Sequence, residues 1–380
     1  MTKILPTIIG AFFWAWMTEA STYGKYGIQK QTKYNKLVFF ILVTTLAMPV
    51  ALRRTFNDTG AYIRGFYYAD SLVELFADGG PGLLGNPLFQ VYESMIRTFT
   101  DDPTIFFLFP AFFVQYSYLR FIRKHSPSLL VGVGLYLFLG TYVFSLAAMK
   151  QTIAMAILLY AVEALIERRY KAYFLLVALA FMFHTYALGF LILPFFTCKP
   201  WSARCFLLLV AVMFVISNFE TVLTSFLEFA NESGKSVSSE EIIGTTAINP
   251  IRVAVYAVTP LFALVFRKYM NFRKEDREHN ILVNMSFLTV SVMAIGLANA
   301  ANMFARMGQY FEFGLICSLP WMLTKPFEKY SQRLVSLIAI ICFAGYFCYA
   351  NLVQIVFDDH FGKYTLMEFL QRLWKNAVFG

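Results

Sequence analysis

Charge is scarce in this sequence. Only 14% of its 380 residues are Asp, Glu, Lys or Arg, while 58% are hydrophobic; an ordinary soluble domain carries about 25% charged residues. A water-soluble fold of this length has too little interior to hide so much apolar side chain, which excludes a soluble globular enzyme. There is no Asp-x-Asp, no Gly-rich phosphate loop of the P-loop kind and no His-x-x-x-His. A nucleotide or metal mechanism therefore has no motif to rest on, and neither a metal nor a cofactor is expected. The five cysteines, Cys198, Cys205, Cys317, Cys342 and Cys348, lie in or beside apolar runs without metal-ligand spacing. They define no disulfide framework.

The apolar residues come in runs near the length of about 20 that crosses a bilayer core as helix. Examples are Leu37 to Leu52, Thr104 to Ile122, Ile281 to Ala301 and Leu334 to Val356. The runs do not alternate as barrel strands do, so helices are the spanning element. The spacing predicts an all-α, polytopic transmembrane bundle of about 11 to 13 membrane helices, written as one domain over 1–380 with no internal repeat. The run Ile4 to Ala20 follows a single basic residue, Lys3, and reads as a retained first helix.

Orientation follows from the basic loops Lys25 to Lys36, Arg120 to Lys124, Arg168 to Lys171, Arg267 to Arg277 and Lys325 to Arg333. Short Lys/Arg-rich loops stay in the cytoplasm, which places the N-terminus outside. A single crossing by the run Tyr173 to Phe196 would then put the later basic loops on the wrong face. The conflict disappears if this run is a re-entrant hairpin that turns near His184. Irregular backbone at that depth has to line a cavity or be buried in protein. The net charge of +9 thus reflects membrane orientation, and no nucleic-acid partner is implied.

Two longer segments fall outside: 53–102, with a turn-prone stretch from Ala77 to Pro87 and short interfacial helices, and 218–250, rich in Ser and Glu. Near the end, 364–379 places Leu366, Phe369, Leu370, Leu373 and Trp374 near helical spacing opposite Glu368, Arg372 and Lys375. That pattern suits an amphipathic surface helix.

Polar residues at membrane depth are costly and mark pathways or sites. Four clusters stand out, all on the outer side in this topology. The first holds Arg53, Arg54, Asp58 and Tyr62; its plain alternative is a pair of snorkelling arginines at a helix end. The second is Lys150 with Gln151, in a tight outer turn where a lysine is not needed for orientation. The third is His184, whose near-neutral pKa suits a base, against the plain reading of a satisfied core histidine. In the fourth, Arg306, Gln309 and Tyr310 share a helix face, with Glu312 following as a neutralising partner for a cation. Several fixed cations facing one external cavity, without an acidic metal cluster, are what a phosphate or pyrophosphate group needs.

At these same residues the chain resembles the EpsG-like family of Wzy-type polysaccharide polymerases. The matching features are Arg53 with Asp58, Tyr62 and Phe66; Lys150 to Ala154 leading to Glu167, Arg168 and Arg169; Ala180 to Ala187 around His184; and Arg306 with Tyr310 and Phe311. Their order holds across roughly residues 50 to 312. Lys150 stands where the family usually has arginine, keeping the charge and losing the bidentate fork. Phe56 and Asn57 replace the usual Gly-containing approach to the aspartate.

The resemblance implies a GT-C-like membrane enzyme, an inverting and metal-independent glycosyltransferase. Its donor and acceptor would be undecaprenyl-pyrophosphate-linked oligosaccharides on the outer face of a bacterial plasma membrane. It would join repeat units into a capsule, exopolysaccharide or O-antigen chain, with membrane lipid, a flippase and a chain-length regulator of the same pathway as partners. On that reading Arg53, Arg54, Lys150 and Arg306 stabilise the pyrophosphate, and His184 or Asp58 takes the proton of the attacking hydroxyl. Tyr62, Gln151, Gln309 and Tyr310 orient sugar or phosphate oxygens. Two other classes remain open. A membrane O-acyltransferase also keeps a lone histidine in apolar surroundings but needs no separated cationic clusters. A transporter or flippase would carry polar residues through the full membrane depth and repeated halves.

Overall fold

The protein is described from a computed structural model, which covers residues 4–21, 34–77, 79–81, 85–217, 248–298 and 302–357. The segment expected as an amphipathic helix, 364–379, and most of the expected outer loop, 218–247, lie outside the described residues. Among the described residues all regular structure is helical. Among the described residues, four helices are long and apolar enough to cross a membrane: Pro103–His125, Met149–Ile166, Arg277–Leu297 and Lys329–Asn351. A fifth span is reached if the bent pair Leu129–Phe138 and Thr141–Ala147, set at 56°, counts as one. Six more apolar helices are 10 to 17 residues long.

The sequence starts these helices with standard physics. Asn35, Asp102, Ser128 and Asn249 each accept a backbone N–H of the first turn that follows them. Such caps satisfy donors that a helix start leaves open. Pro103 and Pro250 occupy first-turn positions, where a missing N–H costs nothing.

The helices sort into two compact units, where the sequence shows no boundary. The first comprises Met1–Pro81, Gln90–Thr152 and Glu328–Gly380. Its elements are α1 (Leu5–Ala20), α2 (Lys36–Ala51), α3 (Thr59–Tyr68), α4 (Leu72–Ala77), most of α5 (Pro87–Phe99), α6 (Pro103–His125), α7 (Leu129–Phe138), α8 (Thr141–Ala147) and the first turn of α9 (Met149–Ile166), with α17 (Lys329–Phe357) near the other end of the chain. The segment expected to carry short helices, 53–102, holds α3, α4 and α5.

In this unit α2 packs against α1 and α6, and α7 against α1 and α17. The buried polar groups are joined to one another. Tyr136 donates to Gln115 Oε1 at 2.8 Å, Gln115 Nε2 donates to Ser145 at 3.0 Å, and Tyr142 donates to the carbonyl of Leu46 at 3.2 Å. Satisfied in this way, they fix the register of the helices without the cost of bare polar atoms in an apolar interior. The bend between α7 and α8 sits at Gly140, whose φ of 89° only glycine adopts freely.

The second unit comprises Gly82–Phe89 and Ile153–Phe327. It holds the rest of α9, α10 (Tyr170–Phe181), a 3-10 helix (Thr185–Phe196), α11 (Ala203–Ser217), α12 (Pro250–Val265), α13 (Arg267–Met270), α14 (Arg277–Ala298), α15 (Asn302–Gln309) and α16 (Glu312–Leu323). Helix α14 is the hub and packs against α11, α12, α15, α16 and the 3-10 helix. A Cβ at Gly314 would lie 2.3 Å from Met285 Cβ and 2.5 Å from the Leu282 carbonyl oxygen, so only glycine lets α14 and α16 approach this closely. Small residues at helix crossings are how membrane helices gain packing contact. The buried Glu312 carboxylate accepts from Tyr256 at 2.5 Å, and Asn284 donates to the carbonyls of Phe196 and Cys198 at 2.7 and 2.8 Å.

The run Tyr173 to Phe196 is two short legs. Helix α10 and the 3-10 helix each have 12 residues and pack against one another, with Tyr173 hydrogen-bonded to the carbonyl of Phe190. At about 1.5 Å per α-helical residue, α10 is too short to cross a core of about 30 Å. His184 lies between the legs in extended backbone, φ −158° and ψ 126°.

Candidate functional site

Within the first unit, the first and second sequence clusters come together. The Tyr62 hydroxyl on α3 accepts the backbone N–H of Lys150, at the start of α9, at 3.5 Å. Helix α3 begins at Asp58, which caps it by position but without a side-chain hydrogen bond and is exposed. Lys150 is half-buried and Gln151 is buried.

Arg53 is turned inward, with 8% of its surface exposed. Its Nη1 donates to the carbonyl of Val50 at 2.5 Å and its Nε to Thr59 Oγ1 at 3.3 Å, while the guanidinium lies 4.3 Å over the Phe107 ring. Nη2 is buried without a hydrogen-bond partner. Burial pulls the group down to about 10, so it stays cationic at neutral pH. It lines a cavity on the scale of one water molecule, with Val50, Phe107, Ser145 and Thr152. Arg54 is exposed and donates to Thr104 at 2.7 Å, tying the end of α2 to the start of α6. Asp102 accepts from the Thr104 backbone at 2.8 Å, and its carboxyl is held below the usual range by the Thr104 hydrogen bonds and by Arg54.

Glu93, on α5, is a member of this site that sequence reasoning passed over. Burial lifts its carboxyl above the usual range and the Lys150 charge counters the lift. A glutamate on a half-polar helix reads as part of a solvated face. The signal that could have raised it is its placement one turn from the buried Phe89 and Ile96.

Within the second unit, the third and fourth clusters come together. The Tyr310 hydroxyl lies 2.8 Å from His184 Nδ1. Which of the two donates depends on the tautomer: a ring protonated at Nε2 accepts from Tyr310, and one protonated at Nδ1 donates to it. The Tyr186 ring meets His184 edge-on at 4.9 Å, and the exposed Arg306 acts electrostatically on Tyr186. Phe190 stacks on Phe311 at 4.9 Å and 4°, an aromatic contact worth about 0.5–1.5 kcal/mol that seats the 3-10 helix against the turn between α15 and α16. Tyr310 lies in that turn, so the helix face expected for Arg306, Gln309 and Tyr310 ends at Gln309. The Leu88 N–H donates to the carbonyl of Met182 at 3.1 Å, two residues before the histidine. Gln309 is buried, and its Oε1 has no hydrogen-bond partner. The residues before the fourth cluster, 299–301, lie outside the described residues.

Among the described residues no three His, Cys, Asp or Glu side chains gather as a metal site. The chemical inventory is an imidazole hydrogen-bonded to one phenol and in ring contact with a second, on which a guanidinium acts, in one unit, and an ammonium with a carboxylate and a phenol in the other. Such groups bind anionic oxygens and move protons.

A family model described as the EpsG family matches residues 36–366. Comparison with curated proteins and with solved structures finds no match.

Proposed function

The chain belongs to the EpsG family, and from that premise we propose that it is a polysaccharide polymerase of a bacterial plasma membrane. It joins undecaprenyl-pyrophosphate-linked oligosaccharide repeat units on the outer face, in capsule, exopolysaccharide or O-antigen synthesis. The observation that carries this reading is the family match, which runs through all four polar clusters. The pairing of Tyr62 with Lys150 and of Tyr310 with His184 supports it, since residues far apart in sequence are brought together as a site requires.

The architecture we propose is GT-C-like, with about 11 to 13 membrane helices. In it α10 and the 3-10 helix form a re-entrant hairpin that opens outward at His184. The stretch 53–102 lies at the outer interface.

The reaction is an inverting displacement at the anomeric carbon of the donor, without a metal. The acceptor hydroxyl loses its proton to His184 as its oxygen bonds to the anomeric carbon. The bond from that carbon to the lipid pyrophosphate breaks, and its electron pair stays on the phosphate oxygen. Arg53, Arg54, Lys150 and Arg306 stabilise the charge that develops there. Lys150 acts as a point charge, Arg306 as a fork. Tyr62, Gln151, Gln309 and Tyr310 orient sugar and phosphate oxygens. His184 is preferred to Asp58 as base because Tyr310 orients the imidazole, whereas the Asp58 carboxylate is exposed and unrestrained by a cap hydrogen bond.

The test is product analysis. Purified protein given lipid-pyrophosphate-linked repeat units is expected to produce a ladder of lengthening glycans without an added acyl donor or divalent cation. Transfer of an acyl group, or transport of the lipid-linked unit without any extension, would replace this reading by one of the two rival classes.

A further inference from the structure

The sequence motifs described above give Glu93 no role. Its position is set by α3. Tyr62 and Gly65 lie three residues apart on that helix and so share a face. The Tyr62 hydroxyl meets the Lys150 backbone, and a Cβ at Gly65 would stand 3.3 Å from Glu93 Oε1. The carboxylate occupies the notch that a glycine leaves, one helical turn along α3 from the tyrosine that meets the Lys150 backbone. Lys150 and Glu93 act on each other electrostatically. Of the other titratable or charged groups, Tyr62 and Arg64 lie on α3, the helix whose Gly65 meets Glu93, and Tyr92 and Arg97 lie on Glu93's own helix; Tyr62 acts electrostatically on Arg53. Tyr92 donates to the Phe106 carbonyl, and Arg97 is paired with Asp101.

We propose that Glu93 is the resident counter-ion of Lys150, displaced by the diphosphate of the lipid-linked substrate and protonated as it is displaced. This rests on the reading in which Lys150 contacts that diphosphate. A half-buried ammonium with no anion beside it is costly, and Glu93 lowers that cost while the seat is empty. When a diphosphate arrives, two anions compete for one cation in a poorly solvated place. The carboxylate resolves the conflict by taking a proton from solvent, becoming a neutral acid that donates a hydrogen bond. Release of the lipid diphosphate after transfer returns the proton. The seat thereby discriminates by charge. A monovalent anion gains too little from Lys150 to displace Glu93, and a diphosphate gains enough.

The sign of the pH effect follows. Binding raises the Glu93 pKa further, so affinity increases as pH falls through the window between its pKa in the empty and occupied protein. The experiment is calorimetric titration of the full-length protein in detergent with geranylgeranyl diphosphate, repeated in buffers of different ionisation enthalpy and at several pH values. The wild type is expected to take up a proton on binding, with affinity gaining up to about tenfold per pH unit within the window. Glu93→Gln is expected to bind more tightly at neutral pH and to lose that share of uptake; His184 is retained in both proteins and cancels in the comparison. Gly65→Ala puts a methyl against the carboxylate and is expected to weaken the pH dependence while leaving α3 folded, since alanine favours helix. If Glu93→Gln does not fold, the wild type and Gly65→Ala carry the test between them.

Proton uptake equal in wild type and variants would overturn the proposal. Failure of the wild type to bind the probe overturns it as well, together with the Lys150 seat. The glycan ladder reports separately on the polymerase reading, so the two failures are distinguishable.

Discussion

The Tyr310 hydroxyl and Nδ1 of His184 stand 2.8 Å apart across 126 residues of sequence. A base is useful only when its ring is held, and this contact holds it. Replacing His184 with alanine is expected to lower the polymerisation rate by about 10² to 10⁴. Tyr310→Phe removes only the orienting hydroxyl, for an expected loss of about tenfold in kcat with KM little changed. The double variant should be no slower than His184→Ala alone, because the two side chains act as one unit. Initial rates of glycan extension for the three variants check this, and additive losses would separate the pair.

Asp58 is exposed at the start of α3. Asp58→Asn is expected to keep the extension rate within a few-fold of wild type. A loss as large as that of His184→Ala would make Asp58 the base.

Gly314 sits where α16 crosses α14. Alanine there would place its Cβ inside contact distance of Met285 Cβ and of the Leu282 carbonyl oxygen. Neither neighbour is the end of a flexible side chain, so the helices must part. A cost of about 1–3 kcal/mol is expected. Thermal unfolding in detergent checks it, and an unchanged midpoint would mean that the crossing is looser than the structure has it.

Cys198 lies between the 3-10 helix and α11, and its thiol is pulled below the usual range, the neighbouring Cys205 thiol being the largest cause. A thiol depressed in the folded state contributes stability above its unfolded pKa and loses that contribution as pH falls through the folded pKa. Cys198 is therefore expected to be alkylated by iodoacetamide at neutral pH, with a labelling midpoint below that of an unperturbed thiol. Cys205→Ala should raise that midpoint. Peptide mass spectrometry across pH reads both, and equal midpoints in the two proteins would contradict the account.

Much of the helical framework could be read from apolar run length. The run Leu37 to Leu52 is the helix Lys36–Ala51, and Thr104 to Ile122 lies inside Pro103–His125. Run length is a local property, and local composition decides it. The break at Gly140 was not legible, because Leu129 to Ala148 reads as nearly continuous apolar sequence and a single glycine does not announce a positive φ. The candidate residues were legible because polar groups in apolar surroundings stand out. Their pairing was not: Tyr62 meets Lys150 across 88 residues, and no periodicity spans that distance. Arg53 shows the same limit. The sequence marks it as a cation at a helix end, and only the fold shows it capping the Val50 carbonyl beneath Phe107. Glu93 escaped notice because its neighbours come from α3 and α9, and its own helix says nothing of them.

The central claim is that a lipid diphosphate leaves as each glycosidic bond forms, and its most direct test counts both products in one reaction. Purified wild-type protein with a lipid-diphosphate-linked repeat unit is predicted to release one lipid diphosphate for every bond made, with inversion at the anomeric carbon, and to do both about 10² to 10⁴ times more slowly when His184 is alanine. Extension without matching release of lipid diphosphate, or equal release and extension by the His184→Ala protein, would contradict it.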